Sequence, residues 1–362
     1  MKVAIVHEMF VKFGGAERVV LEILKIFPRA EIFTSVFDRK KCGEFFDGEK
    51  VRTSFLQKFY KKLPFDFLRM QMPLAFESFD FSKFDLVISS SSAFAHGVLT
   101  NCETRHICYC HSPARFLWDW HFEILREKSG FWKKLIFKNW ARKMRIWDFC
   151  AAARPDVILA NSQNVQNRIS KFWRQKSEII FPPVNIERFS PTQKHGDYFL
   201  IVSALQKFKK IEIAVRAFSK MPQRKLVVIG DGSELNFLKS IATKNIEFLG
   251  RKSDAVVDEY LHAARGFIFT ANDDFGIAPV EAFAAGKPVL AFKKGGALET
   301  IKEFENGVFF ENPSVESFLD GLTKFFENEE NFDARKIAKT AEKFSAENFR
   351  KNFSAAVESC RI

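Results

Sequence analysis

The stretch that decides the fold is TANDDFGIAPVEAFAAGKPVLAF, residues 270–292. An apolar run at 266–270 ends in an acidic loop that carries Gly276, a helical segment follows at 278–285, and a second apolar run occupies 288–292. Apolar strands that alternate with helices are typical of a parallel sheet covered on both faces. Ligands of such sheets bind outside the carboxyl ends of the strands, so the acidic loop is a candidate site.

The same alternation extends in both directions from this stretch. The candidate strands are Val3–His7, Glu31–Phe37, Asp85–Ser89, His106–Cys110, Asp156–Ala160, Glu178–Phe181, Phe199–Ser203, Lys225–Ile229, Ile246–Leu249, Gly266–Thr270 and Pro288–Phe292. The candidate helices are Ala16–Ile26, Ile211–Lys220, Glu234–Ala242, Asp254–Ala264 and Ala278–Ala285, followed by a terminal run of helices. We therefore predict two doubly wound α/β domains, 1–190 and 191–344, joined by a polar linker at 190–198. A C-terminal helix at 345–362 is expected to pack back on the first domain.

The composition excludes intrinsic disorder, because 47% of the 362 residues are hydrophobic and 28% are charged. The formal net charge of +12 is unevenly distributed. Residues 1–190 hold 31 Lys+Arg against 20 Asp+Glu, whereas residues 191–362 hold 25 against 24. A basic first half and a balanced second half indicate that the two halves meet different partners.

The N-terminus and the cysteines predict a cytoplasmic protein. MKVAIVHE turns polar too early for a signal peptide, and no apolar window is long enough to span a membrane. The six cysteines match no zinc spacing and include no Cys-x-x-Cys pair. A metal site is conceivable at the cluster of His106, Cys108, Cys110 and His111. Alternate residues of a strand share a face, however, so Cys108 and Cys110 are more simply core side chains, and no metal is expected.

A basic amphipathic helix is predicted at residues 131–147, where aromatic and aliphatic residues recur at helical spacing and lysines and arginines largely fill the other face. Two interpretations are open. The apolar face packs on its own domain, or the helix lies on an anionic lipid surface. Both hold together if the tryptophans pack and the basic rim meets lipid headgroups.

Two loops carry candidate chemistry. Gly14 and Gly15 join the first strand to the first helix, and they allow a ligand to approach the backbone and the helix N-terminus. In the second loop, Asp273 is followed eight positions later by Glu281 on the helix, a placement that suits gripping two hydroxyl-bearing parts of one ligand. The backbone amides of residues 275–277 open that helix and can meet an anion.

The ordered motifs resemble those of retaining nucleotide-sugar glycosyltransferases of glycosyltransferase family 4. The resemblance rests on DDFGIAPVE (273–281), GKPVLA and GGALET, and on strings that cover nearly the whole chain. These strings are GGAERV, DLVISSSSAFAHGVLT (85–100), HICYCHSPARFLWD (106–119), ANSQNVQNRI (160–169), FPPVNIERF (181–189), IVSALQKFKKIEIAVRAF (201–218), VVIGDGSEL (227–235) and IEFLGRKSD (246–254). It implies the GT-B fold, two Rossmann-like domains facing a central cleft, and a mannosyltransferase-like enzyme of surface-polysaccharide assembly.

The resemblance also implies roles for single residues. Glu281 matches the acid that holds the donor ribose, and Asp273 matches the acid that contacts the transferred sugar. Lys209 matches the lysine on the donor diphosphate, Gly15 the loop that faces it, and His111 the histidine near the transferred sugar and the acceptor. His111, Lys209 and Asp273 are thus the expected catalytic residues. The other expected donor-binding residues are Gly14, Lys210, Gly230, Asp231, Arg251, Phe275, Gly276 and Ile277.

Two positions depart from the family pattern. Asp273 stands where the family usually has Glu, which shortens the reach of the carboxylate by one methylene. Ala204 stands where an arginine normally accompanies the lysine on the diphosphate, and the loss of one such cation costs roughly 3 kcal/mol of transition-state stabilisation. Lys207 and Lys210 are candidates to compensate. A weak or inactive family member that acts as a partner subunit is therefore the alternative to an active transferase.

The resemblance implies transfer of a hexose, mannose by preference, to a glycan or a polyprenyl-diphosphate-linked saccharide. GDP-mannose is the preferred donor and UDP-sugars come second, and the expected reaction retains the anomeric configuration and needs no metal or cofactor. A nucleic-acid binder is disfavoured because the chain has no recognisable binding module, and an NAD-linked oxidoreductase because it lacks the glycine fingerprint. The basic half suits a lipid-linked acceptor, so we expect a peripheral location on the cytoplasmic face of an anionic membrane.

Overall fold

A computed structural model of the chain describes residues 1–46 and 50–360. The chain folds into two compact units, one of Met1–Pro183 with Phe349–Ile362 and one of Val184–Asn348. Residues 184–190, which the sequence assigns to the first domain, therefore belong to the second unit. The strands are β1 (Val3–His7), β2 (Glu31–Thr34), β3 (Val51–Thr53), β4 (Leu86–Ser91), β5 (Arg105–Cys110), β6 (Val157–Ala160), β7 (Glu178–Ile179), β8 (Tyr198–Val202), β9 (Lys225–Ile229), β10 (Ile246–Gly250), β11 (Gly266–Phe269), β12 (Val289–Phe292) and β13 (Gly307–Phe310).

The first unit contains a parallel sheet with the strand order β3-β2-β1-β4-β5-β6-β7, and the second a parallel sheet with the order β10-β9-β8-β11-β12-β13. In both sheets the chain starts in the interior, builds outward to one edge and then crosses back, which is the doubly wound order of Rossmann-like folds. The predicted fold class is confirmed. The sequence missed β3 and β13, and β13 lies where only helices were expected.

Helices cover these sheets. They are α1 (Gly15–Ile26), α2 (Arg39–Cys42), α3 (Phe65–Met70), α4 (Met72–Glu77), α5 (His121–Glu127), α6 (Phe131–Ala151), α7 (Gln163–Arg168), α8 (Ile211–Ser219), α9 (Leu235–Ser240), α10 (Asp254–Ala263), α11 (Ile277–Ala284), α12 (Ala297–Thr300), α13 (Val315–Glu327), α14 (Ala334–Ala341) and α15 (Ala346–Ser359). Short 3₁₀ segments include Ala95–Gly97, Ile186–Arg188 and Lys207–Lys209, and a π-helical turn spans Ile169–Trp173.

The first sheet is buried on both faces because alternate residues of a strand point to opposite sides. Val3 and Ile5 of β1 join a core cluster that includes Phe349 and Phe353 of the C-terminal helix α15. Ala4 and Val6 join the cluster on the other face, with Leu68, Met72 and Phe76 from α3 and α4. The last helix of the chain is thus part of the core of the first unit.

The segment predicted as a linker, 190–198, is hydrogen-bonded to the second unit. Lys287 is buried, and its Nζ donates hydrogen bonds to the carbonyl oxygens of Thr192 and Lys194 at 3.2 and 2.9 Å. Gln193 donates to the carbonyl of Phe332 at 2.8 Å. Its polar composition predicted a linker, and these hydrogen bonds hold the linker against the second unit.

Candidate functional site

In the second unit, the predicted donor-binding residues follow the carboxyl ends of four neighbouring strands. Lys209 follows β8, Asp231 follows β9, Arg251 follows β10 and Asp273 follows β11. All six strands of this sheet run parallel, so the four loops emerge at one edge of the sheet. The structure therefore gathers residues that lie up to 64 positions apart in sequence.

Lys209 and Asp273 form an ion pair at this edge. The Nζ of Lys209 lies 2.5 Å from Oδ2 of Asp273, and the two side chains are 18% and 19% exposed. The hydroxyl of Thr270, at the end of β11, donates to the carbonyl of Lys209 at 2.6 Å and ties the two loops together. A cation and a carboxylate, each partly accessible, are thus held side by side.

The loop that carries Asp273 leads into the N-terminus of α11. Gly276 precedes the helix with a φ of +88°, and a Cβ there would lie 2.9 Å from the ring of Phe269, so the turn requires glycine. Phe275 is buried and its ring meets that of Phe344 edge-on at 5.2 Å. The backbone amides that open α11 at Ile277 follow Asp273 directly along the loop, and a helix N-terminus favours an anion.

The loop after β9, which begins at Gly230, packs against the segment that follows β8. A Cβ on Gly230 would lie 1.8 Å from the carbonyl oxygen of Ser203, so the two backbones touch. The Leu205 amide donates to the Asp231 carbonyl at 2.9 Å. Ala204 lies exposed between these contacts. Lys210 adopts a left-handed conformation with φ +54°, and its Nζ lies 5.2 Å from the centre of the Phe292 ring.

Glu281 faces a different cation, Arg188, to which the sequence assigned no role. The Arg188 guanidinium lies 2.9 Å from Asp254, 2.5 Å from Asp258 and 3.9 Å from Glu281. Burial lowers the pKa of Arg188, but Glu281 and the two aspartates outweigh burial and raise it. Asp273 and Glu281 are thus each balanced by a separate cation. The only sequence signal for Arg188 was its place in FPPVNIERF.

Gly14, Gly15 and His111 belong to the first unit. Helix α1 begins at Gly15, and the carbonyl of Gly14 accepts the amide of Arg18 at 3.0 Å. The first turn of this helix carries Glu17, a buried carboxylate. The sequence did not single out Glu17.

His111 follows β5 directly and is fixed on both sides of its backbone. Its amide donates to the carbonyl of Ser91 at 2.8 Å, and its carbonyl accepts from Nδ2 of Asn161 at 3.0 Å. Its Nε2 lies 2.8 Å from the hydroxyl oxygen of Ser90. Burial, and secondarily the nearby His7, lower the pKa of His111 to about 3, so the ring is neutral at physiological pH.

The neighbouring histidine and cysteines of β5 are part of the core. Cys108 and Cys110 are buried in a cluster with Ile158 and Trp173, and Nε2 of His106 lies 2.8 Å from the hydroxyl of Ser89. Within residues 1–46 and 50–360, no group of three or more His, Cys, Asp or Glu side chains is arranged to hold a metal ion.

The predicted amphipathic helix is α6, and it is only partly packed. Trp140 and Trp147 contact core clusters of the first unit, whereas Phe131 and Trp132 are 72% and 71% exposed, and Ile136 is exposed as well. The packing interpretation thus holds for the part of the helix that carries Trp140 and Trp147, and the lipid-surface interpretation stays a prediction for the exposed end. No helix among the described residues is long and apolar enough to cross a membrane.

An open apolar groove of about 670 Å³ lies between α5 and α6. Its apolar lining comes from Phe122, Leu125, Phe131 and Leu135. Its basic lining comes from Arg126, Lys134 and Lys138. An adjoining groove of about 610 Å³ shares part of this lining and adds Arg142 and Arg145.

Comparison with known proteins identifies the type of each half. Residues 13–188 match the family model described as Glycosyltransferase Family 4, and residues 185–344 match the model described as Glycosyl transferases group 1. The structure is similar to the crystal structure of Anabaena Alr3699/HepE in complex with UDP, with a TM-score of 0.72 and 17% identity over 99% of this chain and 100% of that one. This likeness confirms the GT-B fold.

Three curated relatives are similar in sequence to all or part of this chain. The alpha-1,3/1,6-mannosyltransferase ALG2 of Dictyostelium discoideum is 22% identical over 99% of this chain and 98% of its own length. An uncharacterized glycosyltransferase of Methanocaldococcus jannaschii is 28% identical over 54% of this chain, and the match spans 56% of that protein. A mouse GDP-Man:Man(3)GlcNAc(2)-PP-Dol alpha-1,2-mannosyltransferase is 26% identical over 56% of this chain and 48% of its own length.

Proposed function

The chain belongs to glycosyltransferase family 4, and from that premise we propose that it moves a hexose, mannose by preference, from a nucleotide sugar to a glycan or lipid-linked saccharide. The observation that carries the proposal is the Lys209–Asp273 pair beside the start of α11. It combines a cation, a carboxylate and a helix N-terminus, the groups that a sugar diphosphate needs.

The chemistry follows from where charge develops. Breaking the bond between sugar and phosphate leaves negative charge on the diphosphate, which Lys209 and the opening amides of α11 would stabilise. Asp273 would accept hydrogen bonds from hydroxyls of the transferred sugar, and Glu281 from the ribose. Gly230, Asp231 and Arg251 would border the nucleotide base, and Lys210 would supply a further positive charge.

We propose that the reaction retains the anomeric configuration, as the family resemblance implies. We further propose that it needs neither metal nor cofactor, since Lys209 and the opening amides of α11 would stabilise the leaving diphosphate. The expected product from an α-linked donor is an α-glycoside, which proton NMR of the anomeric signal distinguishes from a β-glycoside. EDTA should leave the rate unchanged. A β-linked product, or loss of turnover that Mg²⁺ restores, would contradict this part of the proposal.

GDP-mannose is our first choice of donor, because similarity extends to one relative named for GDP-Man and to another named as a mannosyltransferase. The mouse relative is also named for a PP-Dol-linked acceptor. The first unit offers a surface of matching chemistry: exposed Phe131 and Trp132 beside a groove lined by lysines and arginines. We propose that this surface meets an anionic membrane that holds a lipid-diphosphate-linked acceptor.

Isothermal titration with GDP and UDP tests the transferase proposal. We expect GDP to bind, and the Lys209→Ala variant to bind it at least about tenfold more weakly, since a hydrogen bond to a charged group is worth about 1.5 kcal/mol or more. The control is Lys225→Ala, which removes a lysine paired with Asp197 at the opposite end of the sheet. Absence of binding by both nucleotides would refute the proposal.

The alternative is an inactive partner subunit, and the specific observation that favours it is Ala204 at an exposed position of the donor loop. Tight binding of GDP or UDP without turnover of any sugar donor would support this alternative. Restoring a cation with Ala204→Arg then separates the two cases, because a rise in kcat indicates an active site that lacks one charge.

Vesicle sedimentation tests the membrane surface. At low salt we expect binding to phosphatidylglycerol-containing vesicles, weaker binding as salt rises, and a marked loss in Trp132→Ser. The matched control is Phe304→Ser, which removes an exposed apolar ring, 49% accessible, from the second unit. Equal binding by both variants, or no binding by the wild type, would contradict the assignment while leaving the transferase proposal intact.

A further inference from the structure

Three consecutive serines at the end of β4 each contact a histidine. Ser89 lies 2.8 Å from Nε2 of His106, and Ser91 lies 3.1 Å from Nδ1 of His96. Ser90 differs from its neighbours because its hydroxyl oxygen lies near two rings, 3.1 Å from Nδ1 of His7 and 2.8 Å from Nε2 of His111. The hydroxyl of Ser90 therefore links His111 to the interior of the first unit.

The chain of contacts ends at a carboxylate. Oε1 of Glu17 lies 3.6 Å from Nε2 of His7, and both side chains are almost fully buried. Burial raises the pKa of Glu17, but His7 and the nearby Lys12 bring it below its ordinary value, so the group is ionised at physiological pH. An ionised carboxylate only accepts hydrogen bonds, so it favours a proton on the His7 nitrogen that faces it.

The direction of the hydrogen bonds is set when His7 carries one ring proton and places it on Nε2, toward Glu17. Nδ1 of His7 then offers a lone pair, which accepts from the hydroxyl of Ser90. The Ser90 oxygen then has lone pairs available for His111, whose Nε2 must be the donor. A neutral imidazole carries one ring proton, so Nδ1 of His111 is left as an acceptor.

We propose that His7 places a single ring proton on Nε2, toward Glu17, and that Glu17, His7 and Ser90 thereby form a positioning chain that holds His111 in the Nε2–H tautomer. The chain presents Nδ1 of His111 to accept a hydrogen bond from a sugar or acceptor hydroxyl. The inference rests on the proposed function for the place of that hydroxyl. The Ser90 hydroxyl thus orients His111 through the ring nitrogen that faces away from the ligand, in the way that a hydrogen-bond partner on the far nitrogen orients other functional histidines.

Proton-detected NMR of protein with ¹⁵N-labelled histidine reads the tautomer directly. We expect the His111 signal, assigned by its loss in His111→Gln, to show a slowly exchanging proton on Nε2. That protected proton should disappear in Ser90→Ala, and it should persist in Ser89→Ala, which removes a hydroxyl from the same buried strand. A proton on Nδ1 of His111 in the wild type would overturn the proposal.

Kinetics supply the second readout. Ser90→Ala should lower kcat about tenfold with the donor KM unchanged, as for loss of a partner that orients a histidine, whereas Ser89→Ala should match the wild type. Equal kcat in the two variants would overturn the positioning role. If the wild type transfers no sugar, the proposed function fails, but the NMR result still decides the position of the ring proton.

Discussion

At the residue scale, the two carboxylates of the second unit are each balanced by a different cation. Asp273 contacts Lys209 and Glu281 faces Arg188. The Lys209 and Asp273 side chains are 18% and 19% exposed, so they are largely shielded from water but still accessible at the edge of the sheet where ligands of such folds bind.

Lys209→Ala should cost activity more than stability. We expect kcat to fall about 10²- to 10³-fold, the usual effect of losing one charge-stabilising group at a reaction centre. Urea denaturation should show a loss of about 1–3 kcal/mol in the free energy of unfolding, because the largely buried Asp273 loses its hydrogen-bond donor. Lys225→Ala serves as the control for removal of a lysine. A Lys209→Ala variant with the kcat of the wild type would contradict the assigned role.

Single residues were predictable from sequence where a motif surrounds them, and less so where only space connects them. Lys209 and Asp273 were both predicted, although their 2.5 Å contact was not. Arg188 and Glu17 were missed as candidates because their partners, Glu281 and His7, lie elsewhere in the sequence. The sequence contains 56 Lys+Arg, and nothing in it indicates that Arg188 is the one that contacts Glu281.

At the scale of elements, glycines determine how closely the loops of the second unit approach each other. Gly230 and Gly250 end neighbouring strands, and both have positive φ, +143° and +70°. A Cβ on Gly230 would collide with the carbonyl of Ser203, whereas nothing lies within 4 Å of a Cβ on Gly250. The first position is constrained by contact as well as by conformation.

Alanine variants at Gly230 and Gly250 should separate the cost of the backbone contact from the cost of the backbone conformation. Gly250→Ala should lower the free energy of unfolding by about 1 kcal/mol, the cost of a left-handed conformation for an L-residue. Gly230→Ala should cost several-fold more, because the loop that carries Ala204 must move. Urea denaturation measures both, and equal losses would show that the contact with Ser203 is unimportant.

Lys287 hydrogen-bonds residues 190–198 to the second unit, and it should make the free energy of unfolding depend on pH. Burial lowers its pKa from 10.5 to about 8 in the folded protein. Between these values the unfolded chain holds a proton that the folded protein lacks, so the free energy of unfolding rises with pH. The contribution of this lysine should increase by at most about 3 kcal/mol from pH 8 to pH 10.5.

Urea denaturation of the wild type and of Lys287→Met between pH 8 and pH 10.5 tests whether the free energy of unfolding rises with pH. The variant should show a smaller rise with pH than the wild type, and also a lower stability at pH 8 if the carbonyls of Thr192 and Lys194 lose their donor. The exposed Lys239→Met is the control. Identical slopes for the wild type and Lys287→Met would contradict the assignment.

Most elements were predictable because the apolar runs and amphipathic segments are long. Predicted ends of helices and strands differ from the observed ones mostly by a few residues, as for β2, predicted to Phe37 and observed to Thr34. The missed strands, β3 and β13, are edge strands of three and four residues. The exposed end of α6 was not predictable, because periodicity does not reveal which neighbour covers a face.

At the scale of the whole molecule, the uneven charge of the two halves corresponds to two units with different surfaces. The first unit carries the exposed apolar residues of α6 and the lysines and arginines that line its grooves. The second carries the Lys209–Asp273 pair and the loops proposed to hold the nucleotide sugar. In the proposed reaction, the nearly neutral second half would hold a soluble donor and the basic first half would meet an acceptor at an anionic membrane.

The most direct test of the central claim is a transfer assay with the purified protein. Radiolabelled GDP-mannose or a UDP-sugar is offered with a membrane extract, and label is counted in the lipid fraction soluble in organic solvent. We predict transfer from GDP-mannose by the wild type and by Lys225→Ala, and a loss of about 10²-fold or more in Lys209→Ala. No transfer from any nucleotide sugar, together with no binding of GDP or UDP, would contradict the claim.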